Sequence, residues 1–383
     1  MIEHSRIQRH FPLNPGDSQM KSNKRLIVLF DGTWNDPQDL TNVYQLSTLI
    51  EAKDGDIEQR FFYEPGVGTG TGEKLRGGLF GYGLSKNLLK GYDWLVRRYQ
   101  TGDEIWVFGF SRGAYTARSL VGLIRKCGLL NTSTPDLLAR AEALYRDKSA
   151  APESPQCLAF RQTYSQEVRV HFLGVWDTVG ALGIPGTMIS EQGFYAWHDT
   201  ELSKIVSHAY HAMAIDEHRE AYKVAMWTNA GGQQKPENIA VEQRWFIGAH
   251  ANVGGGYGHD PLATIALGWM LDKARAAGLK LKPFSVAPNA CLSSPTDAYK
   301  AFAYGLYAFF KGLFSKGDGR FYRPYRGSPV TPSPDVANAL QALPVTAVNV
   351  TLDSSVAEKW LAQADYRPPT LLNAGIAPTQ AAR

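Results

Sequence analysis

The chain of 383 residues is long enough for one large domain or two ordinary ones, and its 44% apolar and 20% charged content is that of a soluble globular protein. A net charge of +4, with no Lys/Arg block, argues against nucleic acid as a partner and leaves room for contact with an anionic membrane surface. Three scattered cysteines, Cys127, Cys157 and Cys291, with no C-x-x-C pair, argue against a disulfide framework or a cysteine-built zinc site. The stretch before Lys24 has no apolar core of the kind a secretory signal needs, and no uncharged run is long enough to span a bilayer. The expectation is a chain made in the cytoplasm; if it acts elsewhere, something other than a signal peptide takes it there.

Residues 1–23 are polar, carry Pro12 and Pro15, and read as a loose leader. Arg25 to Phe30 is a continuous apolar run of the kind found in a buried parallel strand, and it ends in the turn-rich Asp31-Gly-Thr-Trp-Asn35. Arg60 to Tyr63 reads as the next strand and leads into a glycine run from Gly66 to Gly72. Leu84 to Tyr99 has helical spacing, with Leu88, Tyr92, Leu95 and Val96 able to share a face. Ile105 to Phe108 is a short run of β-formers, Gly109-Phe-Ser-Arg-Gly113 a tight turn, and Ala114 to Ile124 a helix.

Asn131 to Ser165 looks helical and surface-lying, broken by Pro152 and Pro155. Val168 to Trp176 reads as a strand ending at Asp177, and Thr178 to Asp199 as loop or cap. Glu201 to Ala225 is expected to be helix, Val241 to Gly248 strand, and Pro261 to Ala277 helix. Strands alternating with helices imply an α/β fold with a mostly parallel central sheet flanked by helices. No repeat or sharp linker is visible, so residues 24–383 are expected to form a single domain. Cap insertions are expected at about 131–165, 178–200 and 284–345.

The G-x-S-x-G turn carries the chemistry. A serine at the apex of a strand-to-helix turn sits in strained backbone with its Oγ clear of the sheet edge, and bulkier flanking residues would collide. The helix behind it favours negative charge developing nearby. The hydroxyl of Ser111 needs a base, and the base a group to orient it, on loops after later strands in the order Ser, Asp/Glu, His. Asp177 stands where its strand runs out, and His250 follows Arg244-Trp-Phe-Ile-Gly-Ala249. His259 is the rival base; His171 lies within a strand, and His208 and His211 on the expected helix read as structural. One oxyanion donor would be the backbone N–H of Arg112, and the other would come from the loop at Gly32, with Asp31 supporting the turn. The glycine run fits neither a phosphate loop nor a dinucleotide fingerprint, and no metal motif appears, so no cofactor and no catalytic metal are expected. Ala298 to Phe314 is aromatic on nearly every side and flanked by lysines. It reads as a buried helix or as an interfacial one making peripheral membrane contact.

Five segments occur in one order: Phe30-Asp-Gly-Thr-Trp-Asn35, Pro65-Gly-Val-Gly-Thr69, Gly109 to Arg118, Gly174-Val-Trp-Asp-Thr-Val179 and Trp245 to His250. Together with Ala214-Ile-Asp-Glu-His-Arg219 and Tyr366-Arg-Pro-Pro-Thr-Leu371, they make the chain resemble an uncharacterised α/β-hydrolase domain family. That family includes the first class of type VI secretion phospholipase effectors. The resemblance implies an α/β-hydrolase-like fold and a Ser–Asp–His esterase cleaving phospholipid acyl chains, with Ser111, Asp177 and His250 at the matching positions. It also implies delivery by type VI secretion into a target-cell periplasm, a secretion-spike partner and an immunity protein. Asn252 departs from the aspartate the family often has there. A soluble carboxylesterase on non-lipid esters and a non-catalytic binding module are the alternatives.

Overall fold

The computed structural model describes residues 24–32, 37–66, 80–179, 201–301, 319–327 and 345–378. The expectations for the leader, the glycine run beyond Gly66, the segment from Gly180 to Thr200 and the aromatic stretch from Phe302 onward lie outside these residues.

In chain order the strands are β1 (Lys24–Phe30), β2 (Lys53–Asp54), β3 (Ile57–Glu64), β4 (Glu104–Phe110), β5 (Leu129–Leu130) and β6 (Ser165–Gln166). They continue as β7 (Val170–Trp176), β8 (Val206–Ala214), β9 (Thr228–Ala230), β10 (Ala240–Phe246), β11 (Val345–Ala347) and β12 (Val350–Leu352). The helices that frame the site are α1 (Asn42–Leu49), α2 (Phe80–Val96), α3 (Arg112–Cys127), α4 (Pro135–Arg146), α5 (Pro155–Tyr164), α6 (His250–Gly254), α7 (Pro261–Ala276) and α8 (Ser354–Ala362).

Eight strands form one sheet in the order β12-β10-β8-β7-β4-β1-β3-β2, parallel throughout except where β2 doubles back on β3. Period-two alternation sends successive side chains to opposite faces. Leu26, Val28, Ile105, Val107, Leu173 and Val175 pack on one face with Ala114, Ala117, Leu120 and Ile124 of α3 and Tyr92 and Leu95 of α2. Ile27, Leu29, Trp106, Phe108, Phe172 and Trp176 pack on the other with Val43 and Leu46 of α1 and Leu267, Met270 and Leu271 of α7. Both faces of the central strands are therefore buried, which is why they read as continuous apolar runs.

Helix starts follow local chemistry. Thr134 and Ser154 cap α4 and α5 through their hydroxyls, with proline at the first helical position of each. Ala141, Leu144 and Tyr145 of α4 join the α3 side of the core. The expected helix over Glu201 to Ala225 is instead strand β8, pairing with β7 and β10, followed by loops and a short 3-10 turn at Glu220–Tyr222. Val206-Ser-His-Ala-Tyr-His-Ala-Met-Ala214 is buried on both faces, and such a run carries no periodicity that separates strand from helix. His208 and His211 thus lie on a strand.

Candidate active site

The C-terminal ends of β4, β7, β8 and β10 share one rim of the sheet. At the end of β4 the chain turns directly into α3. Ser111, at the apex, has φ 58° and ψ −123°, a conformation that non-glycine residues rarely adopt. Its backbone N–H still donates to the Trp176 carbonyl at 3.0 Å, so the β4–β7 pairing runs up to the serine. The two flanking glycines are required by contact. A Cβ on Gly109 would lie 2.5 Å from the Gly113 carbonyl oxygen, and one on Gly113 would lie 2.3 and 2.4 Å from the carbonyl oxygens of Phe30 and Asp31.

The three side chains expected to meet do so. His250 Nε2 is 2.7 Å from Ser111 Oγ, and His250 Nδ1 is 2.6 Å from Asp177 Oδ2. The serine is 7% exposed, the histidine 6% and the aspartate 0%. The imidazole packs against the Phe110 ring at 4.6 Å and edge-on against Tyr222 at 5.0 Å. Its backbone N–H donates to Glu217 Oε2 at 3.2 Å, and Glu217 is paired with Arg219 at 2.7 Å. Burial lowers the pKa of His250, with the Asp177 carboxylate opposing, so the ring favours its neutral form. Such a ring can withdraw a hydroxyl proton through Nε2 while the carboxylate holds the other nitrogen.

Asp177 occupies strained backbone, with φ 39°. Its Oδ1 accepts from the Ala214 N–H at 2.9 Å. The guanidinium of Arg323 grips both oxygens, Nη1 to Oδ1 at 2.6 Å and Nη2 to Oδ2 at 3.0 Å. Burial alone would raise the pKa of this carboxyl, but the charge of Arg323 and then the hydrogen bond and charge of His250 hold it well below the usual carboxylate range. Next door, the Thr178 N–H donates to His211 Nε2 at 3.1 Å, and burial pushes that histidine down to about 3, consistent with a neutral acceptor.

The other expected residues sit around this centre. Arg112 heads α3, directly after the serine, and first-turn N–H groups of a helix point outward along its axis. Gly32 is buried just past the end of β1, and its N–H donates to Asp31 Oδ1 at 2.7 Å, so it is engaged by that carboxylate and not presented as the expected oxyanion donor. Asp31 Oδ2 also accepts from Thr41 Oγ1 at 2.6 Å and Tyr63 Oη at 2.7 Å, and burial pushes its carboxyl up to about 6. Residues 33–36, the rest of that loop, lie outside the described residues. Asn252 caps the turn that presents His250: its Oδ1 accepts from the N–H groups of Ala249 and Thr296, both at 3.0 Å, and its Nδ2 donates to Asp260 at 2.7 Å. An aspartate there would set two carboxylates against each other. Arg323 and Glu217 were not singled out in the sequence. Glu217 lies within the Ala214–Arg219 segment, whereas Phe321-Tyr-Arg-Pro324 gives no local signal at all.

Sheet order, the strained serine between sheet and helix, and the facing imidazole define an α/β-hydrolase-like protein. The chain belongs to the family of T6SS phospholipase effector Tle1-like catalytic domains, whose model matches residues 24–273. It is 31% identical over 243 residues to the uncharacterized protein YEL023C of Saccharomyces cerevisiae, a match covering 56% of this chain and 34% of that one. The chain thus spans about a third of the length of that relative. Among solved structures it is distantly similar to the Tle1 effector bound to the VgrG spike, with 14% identity, TM-score 0.43 and coverage of 87% and 94% of the two chains. An uncharacterized protein from Pseudomonas aeruginosa matches at 19% identity and TM-score 0.39, covering 69% of this chain and 47% of that one. A putative carboxylesterase from Lactobacillus plantarum matches at 12% and 0.32, covering 66% and 86%.

Proposed function

We propose that the protein is a serine hydrolase of carboxylic esters, and that its substrate is a glycerophospholipid cleaved in phospholipase A fashion. The reading rests chiefly on one observation, the relay from Ser111 through His250 to Asp177 with links of 2.7 and 2.6 Å. His250 takes the Ser111 proton as the hydroxyl oxygen attacks the ester carbonyl. The N–H of Arg112 stabilises the oxyanion. His250 then passes the proton to the departing alcohol, and an acyl-enzyme remains. Water activated by His250 releases the fatty acid. Asp177 keeps Nδ1 protonated and offsets the imidazolium charge in both steps.

The lipid substrate is supported by the family's description as phospholipase effectors. The Tle1 effector, which was solved on a VgrG spike, suggests a secretion-spike partner here as well. Delivery to a target cell, and an immunity protein guarding the producer, belong to the same proposal. Lipid product analysis tests the chemistry. Wild-type protein incubated with phosphatidylethanolamine vesicles should release free fatty acid and lysolipid, and Ser111→Ala should release neither. Release from soluble short-chain esters alone would replace the lipid with a soluble ester. A folded wild type whose Ser111 never reacts with a fluorophosphonate would be a binding module.

A further inference from the structure

One buried cation touches the proposed machinery without a part in it. Arg323 is 1% exposed and comes from the segment 319–327, outside the residues matched by the family model. Besides the two bonds to Asp177, its Nη1 donates to the Ala214 carbonyl at 2.7 Å and its Nη2 to the Tyr222 carbonyl at 2.5 Å. Ala214 in turn donates its N–H to Asp177. The fork therefore locks the carboxylate to the end of β8 and to the turn carrying Tyr222, whose ring packs edge-on against His250.

We propose that Arg323 is a positioning residue of the Ser111–His250–Asp177 relay. Its planar fork fixes the Asp177 carboxylate, and its charge balances that carboxylate so that His250 stays an uncharged base in mildly acidic solution. This inference rests on the hydrolase reading above.

The charges around the imidazole support it. His250 contacts two anions, Asp177 through Nδ1 and Glu217 through its backbone N–H; Asp177 is paired with Arg323 and Glu217 with Arg219, and the Tyr222 ring packs edge-on against the imidazole. Arg323 compensates the charge of Asp177 as Arg219 compensates that of Glu217. Remove it, and one uncompensated negative charge lies against Nδ1, which favours the imidazolium. A base already protonated cannot accept the serine proton, so the acidic limb of activity must move to higher pH. Lysine would keep the charge but cannot reproduce two parallel bonds to one carboxylate.

The test measures how fast a fluorophosphonate inactivates full-length protein between pH 5 and 9, with melting temperature as the check on folding and Ser111→Ala as the blank. For Arg323→Gln the plateau rate should fall roughly tenfold or more, and the acidic midpoint should rise by about one pH unit. For Arg323→Lys the rate should also fall while the midpoint stays near that of wild type. A folded Gln variant with wild-type rate and midpoint overturns the proposal, and so does a loss of rate with an unmoved midpoint, which reduces Arg323 to packing. Should the Gln variant fail to fold, the Lys variant decides: a wild-type rate overturns the proposal, and a slower rate at an unchanged midpoint supports it. Wild-type protein unlabelled at Ser111 is a separate outcome, in which the hydrolase reading itself fails and this inference falls with it.

Discussion

At Asp177 four donors converge on one carboxylate: the imidazole, a backbone N–H and both arms of a guanidinium. Asp177→Asn removes the charge and puts an amide N–H where either His250 or Arg323 must donate. Turnover of a short acyl ester should fall about 10⁴-fold, because the ring loses its correct tautomer. Stability should fall by about 3 kcal/mol or more, because Arg323 is left buried without its counter-ion. Steady-state kinetics and urea unfolding of the same variant check the two parts. Asp31 makes a pH prediction. Its folded pKa near 6 lies above the ordinary 3.8, so its contribution is fully present below about pH 4 and is lost as pH rises through 6. The loss is on the order of 3 kcal/mol. Relative to wild type, Asp31→Asn should gain stability from pH 4 to about pH 6 and level off above it; a pH-independent difference in unfolding free energy would contradict this. Ser111, Asp177 and His250 were legible because each follows a readable strand in a known order of chemistry. Arg323 was not, since a lone arginine in irregular chain declares nothing until its burial shows that it must have a partner.

Secondary elements succeed or fail here by whether their neighbours leave a mark in the sequence. The turn between β4 and α3 left one, in Gly109 and Gly113, because backbone approaches both positions more closely than a methyl allows. Gly113→Ala should therefore lower stability by roughly 2–4 kcal/mol, well beyond the gain alanine brings to a helix. It should also abolish fluorophosphonate labelling, since Phe30 and Asp31 must shift to admit it; thermal unfolding and labelling would show this. Gly254→Ala probes the same region from the His250 side. Its Cβ would fall 1.9 Å from the buried ring of Phe110, which precedes Ser111 and lies against His250, so the ring must shift and labelling should slow. Strand β8 left no such mark. Flanked on both sides by parallel strands and buried throughout, it lacks the alternation that would separate it from a helix, and only its pairing with β7 and β10 reveals it.

Across the whole molecule, the core of the matched region extends beyond its end. Met213, Ile215, Trp245 and Ile247, which lie within residues 24–273, share a core cluster with Val356 and Leu371, which lie beyond them. A fragment of residues 24–273 should be insoluble or bind a hydrophobic dye strongly, and it should not label at Ser111. Equal solubility and labelling to the full chain would refute this.

The sheet's margins carry a related consequence. Among the described residues it ends on one side in β12, a stub of three residues, and on the other in β2, a stub of two, reversed in direction. Stubs this short offer a foreign strand few hydrogen-bonding groups to zip onto. Removing β12 would uncover Gln243, Arg244 and Trp245 of β10, a strand of seven residues that ends in two aromatics. A chain cut before β12 should therefore form fibrous or amorphous deposits rather than simply unfold.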